Sequence, residues 1–188
     1  MLYDKDIREP LFEFLEETYG KMRIIEEKQV GRSRADIVMV LPGLLTGIEI
    51  KSDADSYVRL SRQVKDYDRF FDRNMVVAGS SHAAHVREHV PGWWGIITVE
   101  QNDREIDFYV LRQPQENPMM NWKRKLSLLW RPELAHIQEL TAMPRYKEKS
   151  KAFVIEKILA KVPGEQLSVL VSEELFERDY TRIEEVIR

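Results

Sequence analysis

Apolar residues recur at two different spacings along this chain, and each switch between them marks the boundary of an element. Leu11, Phe14, Leu15 and Tyr19 fall three and four residues apart, which predicts a helix. Asp6 is its expected cap, Glu9 stands three residues later as in a capping box, and Pro10 falls in the first turn. Gly20 is its natural stop. Residues 22–29 and 35–41 change to strand composition around a polar Gly31-Arg32-Ser33-Arg34 turn, and Pro42-Gly43 turns the chain into a third strand at 46–51. Over 56–71, Tyr57, Leu60, Val64, Tyr67 and Phe71 return to helical spacing. A buried strand follows at 75–78, then a polar loop at Gly79-Ser80-Ser81-His82. Strands at 94–99 and 106–111 flank Gln101-Asn102-Asp103-Arg104 as a hairpin.

Pro114 to Pro118 breaks the pattern. Beyond it, 126–140, 150–162 and 165–187 read as helical, with Pro132 interrupting the first and Pro163-Gly164 separating the last two. The expected organisation is an α/β core over residues 1–113, a mixed sheet flanked by helices, followed by a helical subdomain over 119–188 that packs on it.

Composition changes this picture little. A chain of 188 residues with 43% hydrophobic and 32% charged residues can bury a full core. The absence of cysteine excludes disulfides and thiolate metal sites, and fits a cytoplasmic protein. The first residues lack a basic stretch leading into an apolar one, so a secretory signal is not expected. The apolar run 37–45 is broken by Pro42 and Gly43 and is too short to span a bilayer, so no membrane contact is expected. A net charge of −3 means that any polyanion must be met by a local basic patch.

The chemistry gathers at Gly47-Ile48-Glu49-Ile50-Lys51. On a strand, Glu49 and Lys51 share one face while Ile48 and Ile50 take the other. The carboxylate can hold a hard cation, and the ammonium can orient a water or offset charge on a phosphate. Asp36 opens the preceding strand ahead of a purely apolar run, where it is costly to bury without a partner. Glu-x-Lys alone is often an ordinary ion pair and a strand-opening Asp an ordinary turn residue. Two adjacent strands that bring Asp36 and Glu49 together are more specific. Gln63 and Tyr67 stand four apart on one helix face. Tyr67 also suits a core aromatic, whereas an amide inside an apolar stripe needs partners.

Taken together, Asp36, Glu49-Ile50-Lys51 and Gln63-Val64-Lys65-Asp66-Tyr67 resemble the PD-(D/E)XK phosphodiesterase superfamily, with a Gln-x-x-x-Tyr motif of the RecB-like kind. Asp6-Ile7-Arg8, Arg34-Ala35-Asp36, Glu49-Ile50-Lys51-Ser52 and Pro91-Gly92-Trp93-Trp94-Gly95 resemble a small bacterial and phage family within it. The likeness covers about residues 4–100, and Ala35 stands where the motif has proline.

The resemblance implies a restriction-endonuclease-like core and a nuclease that uses Mg²⁺ or Mn²⁺. Asp36 and Glu49 would bind the metal with the Ile50 carbonyl, Lys51 would position the attacking water, and Gln63 and Tyr67 would steady the site. The partner would be a nucleic acid, DNA first, and such proteins can act as homodimers. Many relatives add a first-helix glutamate. Glu9 is the nominal candidate, but it points away from the apolar stripe and suits capping better. Arg8 lies beside that stripe and could face the site, and Glu27, Arg34 and Arg62 are further candidate substrate contacts.

Arg32, Arg34, Arg59, Arg62, Lys65, Arg69 and Arg73 surround this region and could track a phosphate backbone. Asp66, Asp68 and Asp72 interleave with them, which equally suits a solvated mixed-charge helix. Lys123-Arg124-Lys125 is a second, smaller basic patch. Trp93-Trp94 could stack on bases, but packing at the sheet edge is the better expectation. His82, His85, His89 and His136 have no metal-ligand spacing. Removing either carboxylate from such a crowded site is expected to cost no stability. The helices beyond about residue 126 are expected to stand outside the catalytic machinery. Two rival readings remain open: an idle nucleic-acid-binding or adaptor module on the same fold, and an interaction domain whose charges form only an ion-pair cluster.

Overall fold

The computed structural model describes residues 2–102 and 105–180. Its centre is a six-stranded mixed sheet in sequential order. The strands are β1 (Arg23–Val30), β2 (Ser33–Leu41), β3 (Leu44–Lys51), β4 (Arg73–Gly79), β5 (Gly95–Asn102) and β6 (Glu105–Arg112). β1, β2 and β3 form an antiparallel meander, β3, β4 and β5 run parallel, and β6 returns antiparallel. Parallel neighbours need crossovers. These are α2 (Leu60–Phe70), entered through a 3-10 turn at Tyr57–Arg59, and α3 (Ser80–Val86).

Strand alternation decides which side chains meet which helix. Ile37, Met39, Ile48, Ile50, Met75, Val77, Ile97 and Val99 share one apolar cluster with Ile7, Leu11 and Leu15 of α1 (Asp4–Tyr19). Val38, Val40, Leu45, Val76, Ala78 and Ile96 join Leu60, Val64, Tyr67 and Phe70 of α2 on the opposite face. That second cluster continues into α4 (Trp122–Ser127), α5 (Arg131–Leu140), α6 (Lys151–Lys161) and α7 (Gly164–Phe176), through Leu126, Leu134, Val154, Ile158, Leu167 and Val171. The helices after Pro118 therefore share a continuous apolar core with the sheet. No described helix is long and apolar enough to cross a membrane.

The expected α/β architecture is present, and several boundaries differ. α1 begins at Asp4, so Asp6 lies inside the helix, where its carboxylate accepts the Tyr3 N–H at 3.1 Å. Pro10 consequently sits in the helix interior and forfeits one backbone hydrogen bond. The polar stretch from Ser80 is a helix rather than a loop, and the fully buried Val86 at its end packs it onto the core of the sheet. Pro132 lies in the first turn of α5, where a missing N–H costs nothing. The expected hairpin tip at Asp103-Arg104 and the helical reading of 181–187 lie outside the described residues.

Gly47 fits α2 to the sheet. It stands on the same strand face as Glu49 and Lys51, and a Cβ there would lie 2.3 Å from Phe71 and 2.8 Å from Tyr67. A bare backbone at this position lets the Tyr67 ring press flat enough for its hydroxyl to reach β3.

Candidate functional site

The site lies at the carboxyl end of β3, the first of the three parallel strands, where ligands of open α/β sheets are commonly held. Ile37 pairs with Ile48, so the next step of the same register sets Asp36 opposite Glu49. A cavity of about 340 Å³ opens there, and Asp36, Glu49, Ile50, Lys51 and Gln63 all line it.

Glu49 is the hub. Its side chain is 2% exposed. Oε1 accepts Lys51 Nζ at 2.8 Å and the Gln63 amide, and Oε2 accepts the Tyr67 hydroxyl at 2.5 Å. Lys51, also buried, donates to Gln63 Oε1 at 3.1 Å as well, so two of its three N–H donors have protein partners. The Gln63 amide thus meets a carboxylate with one end and an ammonium with the other, which answers why an amide stands in an apolar stripe. Tyr67 is both a core aromatic and a polar partner. Its ring packs 5.5 Å from those of Phe71 and Trp94, while its hydroxyl accepts the Asp36 N–H at 3.1 Å and donates to Glu49. Burial, reinforced by Glu49 and Asp36, pushes its phenol well above the usual range, so it remains a donor.

Asp36 is held differently. Oδ2 accepts the Ile50 N–H at 2.8 Å, and its closest cationic neighbour is Arg8, 3.8 Å from Oδ1. Burial first, and the Glu49 charge second, push its carboxyl up to about 7. The folded, metal-free protein therefore binds this proton more tightly than the unfolded chain does. The stability it contributes is full below about pH 4 and is lost as pH rises through about 7, on the order of 2–4 kcal/mol in all. Melting temperatures of the metal-free protein are expected to fall more steeply across that window than those of Asp36→Asn, which lacks this contribution. Equal slopes in the two proteins would contradict the assignment.

Arg8 and Glu27 do not line the cavity; they brace the elements behind it. Arg8 bonds Asp4 at 2.5 and 3.0 Å, Glu26 at 3.0 Å and Glu27 at 2.6 Å, tying α1 to β1. Its guanidinium is raised further above its ordinary range, the Asp4 hydrogen bond being the largest cause. Glu27 also holds Arg34 at 2.6 Å, from a left-handed backbone conformation with φ of 54°. Such a conformation costs a non-glycine residue about 1 kcal/mol or more. Arg34 and Arg62 do line the cavity, with Arg32 and Arg59.

Two carboxylates at the cavity escape a reading by motif. Asp4 lines it from the first residue of α1, which starts three residues, nearly a full turn, earlier than its capping pattern suggests, while Glu9 is exposed and does not line the cavity. Asp55 also lines it, and binds the Ser52 N–H at 2.9 Å and hydroxyl at 2.6 Å. Its only sequence signal is the Ser-x-x-Asp spacing after Lys51. Trp94 is fully buried, and its indole, like that of Trp93, donates to Asp68. His82 packs against Tyr57, with Nε2 3.3 Å from the Asp53 carbonyl.

Among the described residues no group of three or more His, Asp or Glu side chains gathers in metal-holding geometry. The donor set nevertheless fits a hard divalent cation of the Mg²⁺ type, which commonly takes one or two carboxylates and keeps its waters. Among the described residues no hydrogen bond reaches Asp36 Oδ1, whose nearest cation is the Arg8 guanidinium at 3.8 Å, and Asp36 lines the cavity beside Glu49.

Comparison with known proteins supplies the family. Protein cII of Enterobacteria phage P4 is 26% identical over 138 residues, covering 71% of this chain and 52% of that protein, so this chain spans about half the length of the curated relative it matches. The solved structure of Pyrococcus furiosus SfsA in complex with Ca²⁺ aligns with 59% of this chain and 62% of its own, at 16% identity and a TM-score of 0.36, a likeness too slight to carry an argument. The model of the family described as bacteriophage P4 protein cII matches residues 1–184, and the chain belongs to that family.

Proposed function

We propose that this phage-family protein is a metal-dependent phosphodiesterase of the PD-(D/E)XK kind, acting on DNA. The observation that carries the reading is the convergence of Asp36, Glu49, Lys51 and Gln63 on one polar cavity, with Tyr67 bonded to both strands behind it. Asp36 and Glu49, with the Ile50 carbonyl, are the residues that would hold Mg²⁺ or Mn²⁺, and the cation would supply positive charge against a phosphate oxygen. Lys51 acts from the chain itself. Its remaining N–H can orient the attacking water and meet charge that develops in the transition state. Gln63 and Tyr67 fix Glu49, so the site needs little reorganisation when substrate arrives. Cleavage of linear, nicked and circular DNA with Mg²⁺ or Mn²⁺, abolished by EDTA, is the expected result. A wild-type protein inert on all three substrates with both metals would refute the reading.

A second reading is an idle DNA-binding module on the same fold. The observation favouring it is that both Glu49 oxygens already accept hydrogen bonds within the protein. In that case wild type binds DNA and never cleaves it.

A further inference from the structure

The cations of α2 alternate with acids in sequence but not on the surface. Asp66 and Asp68 are buried. Asp66 accepts the Arg32 N–H at 3.2 Å and the Ser33 hydroxyl at 2.7 Å, under a Gly31 whose Cβ would strike it. Asp68 accepts Asn74 and both tryptophan indoles at 2.8–3.2 Å. Asp72 binds the Lys125 ammonium, itself fully buried, at 2.7 Å. All three acids are thus spent inside the fold.

What faces solvent is Arg59, Arg62, Lys65 and Arg69, every one exposed, at the three- and four-residue spacing of a single helical stripe. Arg32 from the β1–β2 turn and Arg124 from α4 are exposed as well. None of these six cations forms an ion pair among the described residues. A second cavity, about 540 Å³, is lined by Arg32, Arg62, Lys65, Arg69 and Arg124, with one acid among them, Asp66, whose carboxylate is already held by the Arg32 N–H and the Ser33 hydroxyl. It shares Arg32 and Arg62 with the cavity that holds Asp36, Glu49 and Lys51.

We propose that this stripe is a binding track for the sugar–phosphate backbone of DNA, leading past Arg32 and Arg62 into the carboxylate cavity. The choice of DNA as the polyanion rests on the nuclease reading; the track itself rests on the segregation of charge. Unpaired exposed cations carry no internal partner to lose and release counterions from the polyanion they meet. All but Lys65 are arginines, whose planar forks match phosphate oxygens. Successive cations on α2 rise about 4.5–6 Å along the helix, close enough to meet neighbouring phosphates of one strand. Arg124 brings α4 into the track, so the helices after Pro118 take part in holding substrate even though they carry no candidate catalytic group.

The test is DNA binding without cleavage. Fluorescence anisotropy of labelled duplex and single-stranded DNA is measured in EDTA at several salt concentrations. Wild type is compared with Lys65→Glu/Arg69→Glu/Arg124→Glu, and with a control of equal charge change, Lys147→Glu/Lys157→Glu/Lys161→Glu, outside both basic cavities. Neutral Lys65→Gln/Arg69→Gln/Arg124→Gln serves as a second track variant. The track variants are expected to lose about 10-fold or more in affinity at low salt. The slope of log affinity against log salt should fall by about 2–3, since each lost contact removes about 0.7–0.9. The control should stay within about 2-fold of wild type. Track variants that bind like the control, or a wild type without salt-dependent binding, overturn the proposal. Cleavage is judged separately: a wild type that binds through the track yet never hydrolyses DNA defeats the nuclease reading and leaves the track standing.

Discussion

Glu49→Ala will destabilise the metal-free protein by about 3–5 kcal/mol, because it breaks a buried ion pair from one side. Lys51, whose side chain is 5% exposed, would keep only the Gln63 carbonyl oxygen as its partner, and the Tyr67 hydroxyl would lose the acceptor 2.5 Å away. For a chain of this size the loss corresponds to a fall in melting temperature of roughly 6–20 °C. Adding Lys51→Met to Glu49→Ala removes the orphaned cation and should recover a large part of the loss. Asp36 is expected to behave in the opposite sense. Its removal relieves a carboxyl that burial and Glu49 already push up to about 7. The expectation that either acid can be removed without loss of stability therefore divides, since one acid is an acceptor for three side chains and the other for a single backbone N–H. Thermal melts of Glu49→Ala, Asp36→Asn and the double variant decide it. An unchanged melting temperature in Glu49→Ala would mean that the network around it does not form.

Much of this arrangement is legible before any coordinates. The period-two pattern of β3 separates Glu49 and Lys51 from Ile48 and Ile50, and the four-residue step from Gln63 to Tyr67 places both on the side of α2 that meets that strand. What stays hidden depends on groups whose direction the local pattern does not decide. Asp4 carries no motif of its own, and it lines the cavity from the first residue of α1. Arg8 and Glu27 look like possible substrate contacts, and their pairing with one another across two elements, off the lining of the cavity, is not legible in the sequence. The charges of α2 look mixed when counted along the chain. Read at helical spacing, Arg59, Arg62, Lys65 and Arg69 already fall on one side, but only the structure reveals that Asp66 and Asp68 are buried and that Asp72 is engaged by Lys125. Ser80-Ser81-His82 illustrates the opposite failure. Polar residues after a strand suggest a loop, and the apolar contact of Val86 with the core turns the segment into a helix.

Lys51→Met carries the largest expected effect on function. Methionine has nearly the length of lysine and fills the same buried space, and Glu49 retains the Tyr67 and Gln63 donors that hold it. Asp36 and Glu49, the proposed cation ligands, remain in place. So do the exposed arginines of α2, which are the proposed source of DNA affinity. What disappears is the one ammonium inside the cavity, and its proposed work on water and on developing phosphate charge is done mainly in the transition state. The direct measurement is the single-turnover cleavage rate of wild type and Lys51→Met on the same DNA with Mg²⁺, beside the DNA affinity of each in EDTA and their Mn²⁺ affinity by calorimetry. The account predicts a rate loss on the order of 10²-fold or more with both affinities changed little. Equal rates in the two proteins, or a variant that loses only DNA affinity while wild type cleaves nothing, would contradict it.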